Sequence, residues 1–255
     1  MQAEHALSEY RKTAVHADAT TWRITLDDPA TGNLIDEQML DELLHALDRA
    51  RAERRVRALV FSGSGPDFCL GGSRDELTQP TPGNDPGFDQ RRIGDKARRL
   101  CDAIASHPAV TIARIHGRAH GAGFALALHC DLRVGTPDAV FRLPELAFGL
   151  PAAWGGAMAR LVGEIGAART RELLLTGQAV DAVTAERLSV LHRVVSEETL
   201  DKAVERWVRP IVRCSPHALY TTKAMLGAYS AANRLADMGL LDAALLTTSL
   251  KDRRD

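Results

Sequence analysis

Charge of one sign is what this chain lacks most plainly: across 255 residues, 32 Lys and Arg stand against 33 Asp and Glu, for a formal net charge of -1. No global field draws in a polyphosphate duplex or an anionic membrane, so neither nucleic acid nor membrane is expected as a partner. Long apolar runs are missing as well. None approaches the ~20 residues a spanning helix needs, and the opening MQAEHALSEYRKT has no apolar signal core. A cytoplasmic protein is the expectation. Cysteine is sparse: Cys69, Cys101, Cys130 and Cys214 are widely spaced with no CxxC pair, which argues against a disulfide scaffold or a zinc ribbon and leaves reduced, partly buried thiols. The GxxxxGK[ST] phosphate loop and the GxSxG elbow are absent. His116 and His120 invite a metal reading, but no third ligand accompanies them and no HExxH helix exists, so no metal is expected.

What is present is an ordinary globular composition, 45% hydrophobic and 25% charged, long enough to bury a substantial core. Residues 21–26 (TWRITL) before Asp27-Asp28-Pro29 predict a strand and a turn. From Asp36, the spacing of Met39, Leu40, Leu43, Leu44 and Leu47 predicts an amphipathic helix. Ala58 to Phe61 reads as a buried strand, Arg91 to Ile104 as a helix ended by His107-Pro108, and Val110 to Ile115 as a further strand. Phe124 to Cys130 is apolar all round, the mark of a buried helix, and Leu132 to Val134 is again strand-like. Thr78 to Asp89, with three prolines, two glycines and two aspartates, is expected to be a mobile surface loop. Helix continues to Leu175, then from Asp181 almost to the end, with Pro210 and Pro216 as breaks. Strand and helix in this order predict an α/β fold with a helical tail.

Many of the 20 glycines cluster in three places. Two follow one grammar, an apolar strand, a glycine loop and a helix: Phe68 to Ser73 after Val60-Phe61, and His116 to Gly123 after Ile112. Small residues there let a ligand approach the main chain, and a helix N-terminus offers unpaired N–H groups. The third cluster runs from Gly149 to Gly156.

Phe68-Cys69-Leu70-Gly71-Gly72 resembles the FxAGAD segment of the crotonase (enoyl-CoA hydratase/isomerase) superfamily, and Ile115-His116-Gly117 through Gly123 resembles its NGxxxGGG segment. Cys130-Asp131-Leu132-Arg133, Phe141 to Glu145 and Leu174 to Gly177 resemble its CD, FxxPE and LTG segments, in family order. The resemblance implies a ClpP/crotonase-like spiral of ββα units, with residues 1–190 as the core bearing the site and 191–255 as a helical segment making trimer contacts. It also implies an enzyme assembled as a homotrimer or hexamer, acting on an acyl thioester of coenzyme A and needing no further cofactor. Carried over by position, the main-chain N–H groups of Gly72 and Ala122 form an oxyanion hole, and Leu70, Gly71, Gly121 and His120 line the substrate site. Family members usually continue into a last helix, so a chain ending at Lys251 to Asp255 implies a shortened tail.

Hydratases of the family carry two glutamates. Glu145 matches one, and Ala125 stands where the other would be, so the pattern resembles the single-carboxylate isomerases, with Glu145 as acid/base. Phe141, Leu143, Leu146 and Phe148 around it would raise its pKa by desolvation. Two alternatives stay open: hydration or dehydration by Glu145 alone, and a non-catalytic thioester-binding or assembly subunit. His120 is the second candidate for proton transfer, and His129 reads as structural. Leu70, Phe124, Phe148, Leu150 and Trp154 suggest an apolar pocket. Ala30 and Pro66 occupy positions where basic residues grip coenzyme A, and Ser73 and Asp75 depart from the family pattern, so a carrier-protein thioester is an alternative to free coenzyme A.

Overall fold

The structure, a computed structural model, describes residues 5–6, 10–78, 86–152 and 154–232. Its elements in chain order are β1 (His5–Ala6), β2 (Thr13–Ala17), β3 (Thr21–Leu26), α1 (Glu37–Ala52), β4 (Ala58–Gly63), α2 (Arg74–Thr78), α3 (Pro86–Ala105), β5 (Val110–Ile115), β6 (Arg118–His120), α4 (Ala122–His129), β7 (Leu132–Gly135) and β8 (Val140–Arg142). A 3-10 turn, Glu145–Phe148, then precedes α5 (Ala157–Thr176), β9 (Val180–Asp181), α6 (Ala182–Arg187), β10 (Arg193–Val194), α7 (Glu197–Ile211) and α8 (Pro216–Ala232). One sheet has the order β1-β2-β3-β4-β5-β7-β10, and a second, small sheet has the order β6-β8-β9. The first two pairings of the large sheet are antiparallel and the others parallel. From β5 to α5 the chain twice runs through a strand of the large sheet, a strand of the small one and a helix. This is the α/β fold that the order of strands and helices predicts, in the spiral form that the family resemblance implies.

Parallel strands need cover on both faces, and here both faces have it. In β4, Ala58, Leu59, Val60 and Phe61 are all buried. Against one face, α7 packs Leu200, Val204 and Val208 on Val60, Ile112 and Val134. Against the other lie Met39, Leu40, Leu43 and Leu47 of α1, each contributing about 1.5–3 kcal/mol by its burial. Asp36 starts that helix by accepting from the Met39 N–H at 2.8 Å. All eight residues of α4 are buried, as its apolar sequence requires. Asp131 is structural: its Oδ2 accepts from the Thr111 N–H at 2.8 Å and pairs with Lys223 at 2.6 Å, which fastens α8 to the core.

Strands β4 and β5 both run out into the glycine loops at one end of the large sheet. Those loops are stitched together. The Phe68 N–H donates to the His116 carbonyl (3.0 Å), the Cys69 N–H to the Arg118 carbonyl (3.1 Å), and the His120 N–H to the Cys69 carbonyl (2.9 Å). A Cβ on Gly123 would stand 2.5 Å from the Cys69 carbonyl oxygen, so only glycine lets the loops close this far.

Several expectations change. The chain beyond Asp181 is not helical throughout, because β10 joins the large sheet beside β7. Pro210 does not break its helix: α7 runs one residue past it, to Ile211, so the missing N–H forfeits a single hydrogen bond at the helix end. The expected loop from Thr78 to Asp89 is helical at both ends, since Thr78 closes α2 and Pro86 to Asp89 open α3. Residues 79–85, and the tail ending at Lys251 to Asp255, lie outside the described residues. Cys69, Cys101 and Cys130 are fully buried free thiols, not partly buried ones, and Cys214 is exposed. Among the described residues no helix is long and apolar enough to cross a membrane.

Candidate active site

A cavity of about 490 Å³ opens where the two glycine loops meet. Glu145, Gly72, Ala122, Leu70, Gly71, Gly121 and His120 all line it. Two main-chain N–H groups are left unused by the way the loops are built. Ile35 bridges Gly72 in parallel fashion: the Ile35 N–H donates to the Gly71 carbonyl (2.8 Å) and the Ser73 N–H donates to the Ile35 carbonyl (2.9 Å). Those bonds fall on the neighbours of Gly72 and bypass its own N–H. Ala122 is the first residue of α4, so its N–H has no carbonyl one turn back in the helix. The two positions are adjacent: a Cβ on Gly72 would stand 3.9 Å from the Ala122 Cβ.

Glu145 reaches the cavity from a third segment. It begins the 3-10 turn, which Gly149 closes in the left-handed conformation, with the Leu150 N–H donating to the Glu145 carbonyl at 3.0 Å. Gly121, at φ 48° and ψ -117°, brings the second loop against the carboxyl, and a Cβ there would lie 3.2 Å from Glu145 Oε1. Glu145 Oε2 is buried with no hydrogen-bond partner among the described residues. Burial pushes this carboxyl up to about 7 from an ordinary 4.5, opposed in part by its own backbone N–H. No cation contributes to that shift, so Glu145 holds a carboxyl poised near neutrality.

The cavity has a cationic end and an apolar end. In β6 and β8, Arg118 and His120 share a strand face with Arg142, which pairs directly with His120. The Arg118 guanidinium grips buried Asp67 with both Nε (2.8 Å) and a terminal nitrogen (2.7 Å), which holds the Asp67 carboxyl below the usual range. Arg142 Nε donates to the Gly177 carbonyl at 2.7 Å. Burial, then Arg118 and Arg142, lowers the pKa of His120, whose Nε2 is buried without a partner among the described residues. Phe148, Leu150, Pro151 and Trp154 supply the apolar part of the lining, with the Arg74 guanidinium 4.1 Å from the Phe148 ring centroid. Asp75, on the exposed first turn of α2, is the other carboxylate on the wall.

Leu70, Phe148, Leu150 and Trp154 line the cavity as expected. Phe124 does not, because the buried α4 turns it onto Phe141, ring centroids 5.1 Å apart. Phe141 is therefore core. Leu146 also faces away from Glu145, as successive residues of a 3-10 turn must; it is exposed beside a separate apolar cavity with Met158 and Leu174. His116 donates to or accepts nothing at the site, its Nε2 meeting the Gly65 carbonyl at 2.8 Å, and His129 is a buried α4 residue bonded to the Ala125 carbonyl. Among the described residues no three His, Cys, Asp or Glu side chains gather as a metal set. Sequence reading missed the arginines. Arg118 shares β6 with His120 and Arg142 shares β8 with Phe141, and strands of three residues carry no period from which their facing could be read.

A sequence model described as Enoyl-CoA hydratase/isomerase matches residues 16–253. The human protein named enoyl-CoA hydratase domain-containing protein 2, mitochondrial, is 37% identical over 185 residues, a match covering 72% of this chain and 61% of the human one. A putative enoyl-CoA hydratase of Thermus thermophilus is 30% identical over 220 residues, covering 86% of this chain and 83% of that one. The chain thus spans less than two thirds of the human relative. A solved enoyl-CoA hydratase from Bacillus halodurans superposes with a TM-score of 0.86 at 23% identity, over 94% of this chain and 96% of that one, a likeness of fold.

Proposed function

The chain belongs to the enoyl-CoA hydratase/isomerase family, and from that premise we propose that it isomerises the double bond of an enoyl thioester through an enolate, with Glu145 as the single acid/base. One observation carries this reading: a carboxyl raised to about 7 by burial, with a free oxygen, stands against the glycine loop that presents the Ala122 N–H. The thioester oxygen sits between the Gly72 and Ala122 N–H groups, each such donor being worth about 2.7–4 kcal/mol to the developing enolate. The dipole at the start of α4 adds to the second donor. Ionised Glu145 takes a proton from the carbon next to the shifting double bond. The electron pair moves onto the thioester oxygen, and the same carboxylic acid returns the proton two carbons along. Such proton transfer supplies roughly 10²–10⁴-fold.

Ala125 supports isomerisation over water addition, because it stands in buried α4 at the position where the family's hydratases carry the second glutamate that would hold a water against Glu145. The acyl chain belongs at the apolar end, by Phe148, Leu150 and Trp154. The carrier arm, coenzyme A or a carrier protein's pantetheine, belongs at the cationic end. The test is a panel of 2-enoyl and 3-enoyl thioesters offered to the wild type and to Glu145→Gln in ¹⁸O water. Isomeric products without label, lost in the variant, are expected. Label in the product would replace isomerisation by hydration, and turnover unchanged by the substitution would remove Glu145 from the chemistry.

A further inference from the structure

The third glycine cluster has no part in the two oxyanion loops, yet it is built as tightly as they are. Gly155 and Gly156 both take the left-handed conformation, at φ 60° and 81°. A Cβ on Gly155 would stand 2.4 Å from Cys101 Sγ, so the turn is pressed against α3 as only glycine allows. The Ala157 N–H donates to the Trp154 carbonyl at 3.0 Å, which closes the turn. Its effect is to fix Trp154. The indole packs on the core with one side and lines the cavity with the other. Trp154 Nε1 stands 3.8 Å from the place a Cβ would take on Gly72, a place itself 3.9 Å from the Ala122 Cβ. Among the described residues nothing accepts from that N–H, which is open to the cavity.

An indole N–H donates only, and at a half-buried position it ordinarily finds an acceptor. Here the neighbouring groups on the cavity wall are two more donors. Three donors around one small space call for an oxygen carrying negative charge. We propose that the Trp154 indole N–H is a third donor to the thioester oxygen, acting with the main-chain N–H groups of Gly72 and Ala122. The proposal rests on the reading that this oxygen binds between those two groups. It makes Trp154 a catalytic residue, one whose bond strengthens as the carbonyl becomes an enolate.

The test separates donation from packing. Trp154→Phe keeps an aromatic ring and loses the N–H; replacing Trp154 by its benzothienyl analogue, in which sulfur stands for the N–H, keeps the full bicycle. Each is measured for turnover of an enoyl-CoA and for the carbonyl stretch of bound saturated acyl-CoA labelled with ¹³C at that carbon, beside Glu145→Gln. Expected are a kcat lower by about 10²-fold with KM little changed, and a carbonyl band moved back toward its free position in both Trp154 variants. Glu145→Gln should lose turnover with the band unmoved. A fall in kcat with an unmoved band overturns the proposal, because the ring then acts by packing. Full activity in the benzothienyl protein overturns it also, while loss of turnover in Glu145→Gln leaves the isomerase reading standing. A band in the wild type at its free position overturns both, since the oxygen then binds elsewhere.

Discussion

The two glycine loops that meet at the cavity are held by different means. The first presents Gly72 through hydrogen bonds on either side of it, from the Ile35 N–H and from the Ser73 N–H. Gly72 itself has an ordinary φ, and a Cβ there would meet nothing nearer than 3.8 Å. The second presents Ala122 through a backbone conformation, Gly121 at φ 48° and ψ -117°, wedged 3.2 Å (by its absent Cβ) from Glu145 Oε1. One donor is placed by a ladder that any residue could keep; the other depends on a residue without a side chain. Alike in sequence, the two glycines therefore differ in what they do.

Substitutions that add one methyl group can break that contrast. Gly121→Ala should have the largest effect: the strained φ costs about 1–3 kcal/mol, and displacing both the Ala122 N–H and the Glu145 carboxyl should lower kcat by at least about 10²-fold. Thermal melts and turnover on one preparation would measure both, and near-normal turnover would show that the second loop is as tolerant as the first. Gly123→Ala should follow. Its Cβ would press on the Cys69 carbonyl at 2.5 Å, so a loss of roughly 1–3 kcal/mol in denaturant unfolding is expected, the loops being forced apart.

A third expectation concerns pH. The Glu145 carboxyl is raised from 4.5 to about 7 in the folded chain, so the folded state holds this proton more tightly than the unfolded state does. Ionising it costs stability as pH rises through the window from 4.5 to 7, and the cost is constant above it. Glu145→Gln should then match the wild type near pH 4 and exceed it by about 2 kcal/mol at pH 8, allowing for partial solvation. Equal stability at pH 8 would mean that the carboxyl is not desolvated. The smallest effect belongs to Gly72→Ala. With no strain and only ordinary contacts, it should stabilise the fold by about 0.4–1 kcal/mol through the unfolded chain, read by denaturant unfolding. A loss of stability would show that the first loop tolerates an added methyl group no better than the second.

The contrast also marks what can be read before a structure is known. Glycine loops after apolar strands were legible, because a strand that must stop and a main chain that must be approached both leave glycine in the sequence. Helix α1 was legible from its spacing and α4 from its unbroken apolarity. The short strands β1, β6, β8, β9 and β10 were not, since two or three residues carry no period and owe their form to a neighbour. For the same reason Arg118 and Arg142 went unread: a pocket wall made from β6 and β8 exists only once the two strands pair. Phe124 and Leu146 were misplaced because an apolar residue near a site motif can face the core or the solvent, and only packing decides which.

The central claim is that Glu145 moves a proton on a carbon next to an oxyanion-stabilised thioester. Proton exchange into a substrate that cannot complete the reaction tests it most directly. A saturated acyl-CoA held in deuterium oxide at pH 8 with the wild-type protein should gain deuterium beside the carbonyl, at a rate that falls by at least about 10²-fold in Glu145→Gln. Exchange at equal rates in the two proteins, or none in either, would contradict the account.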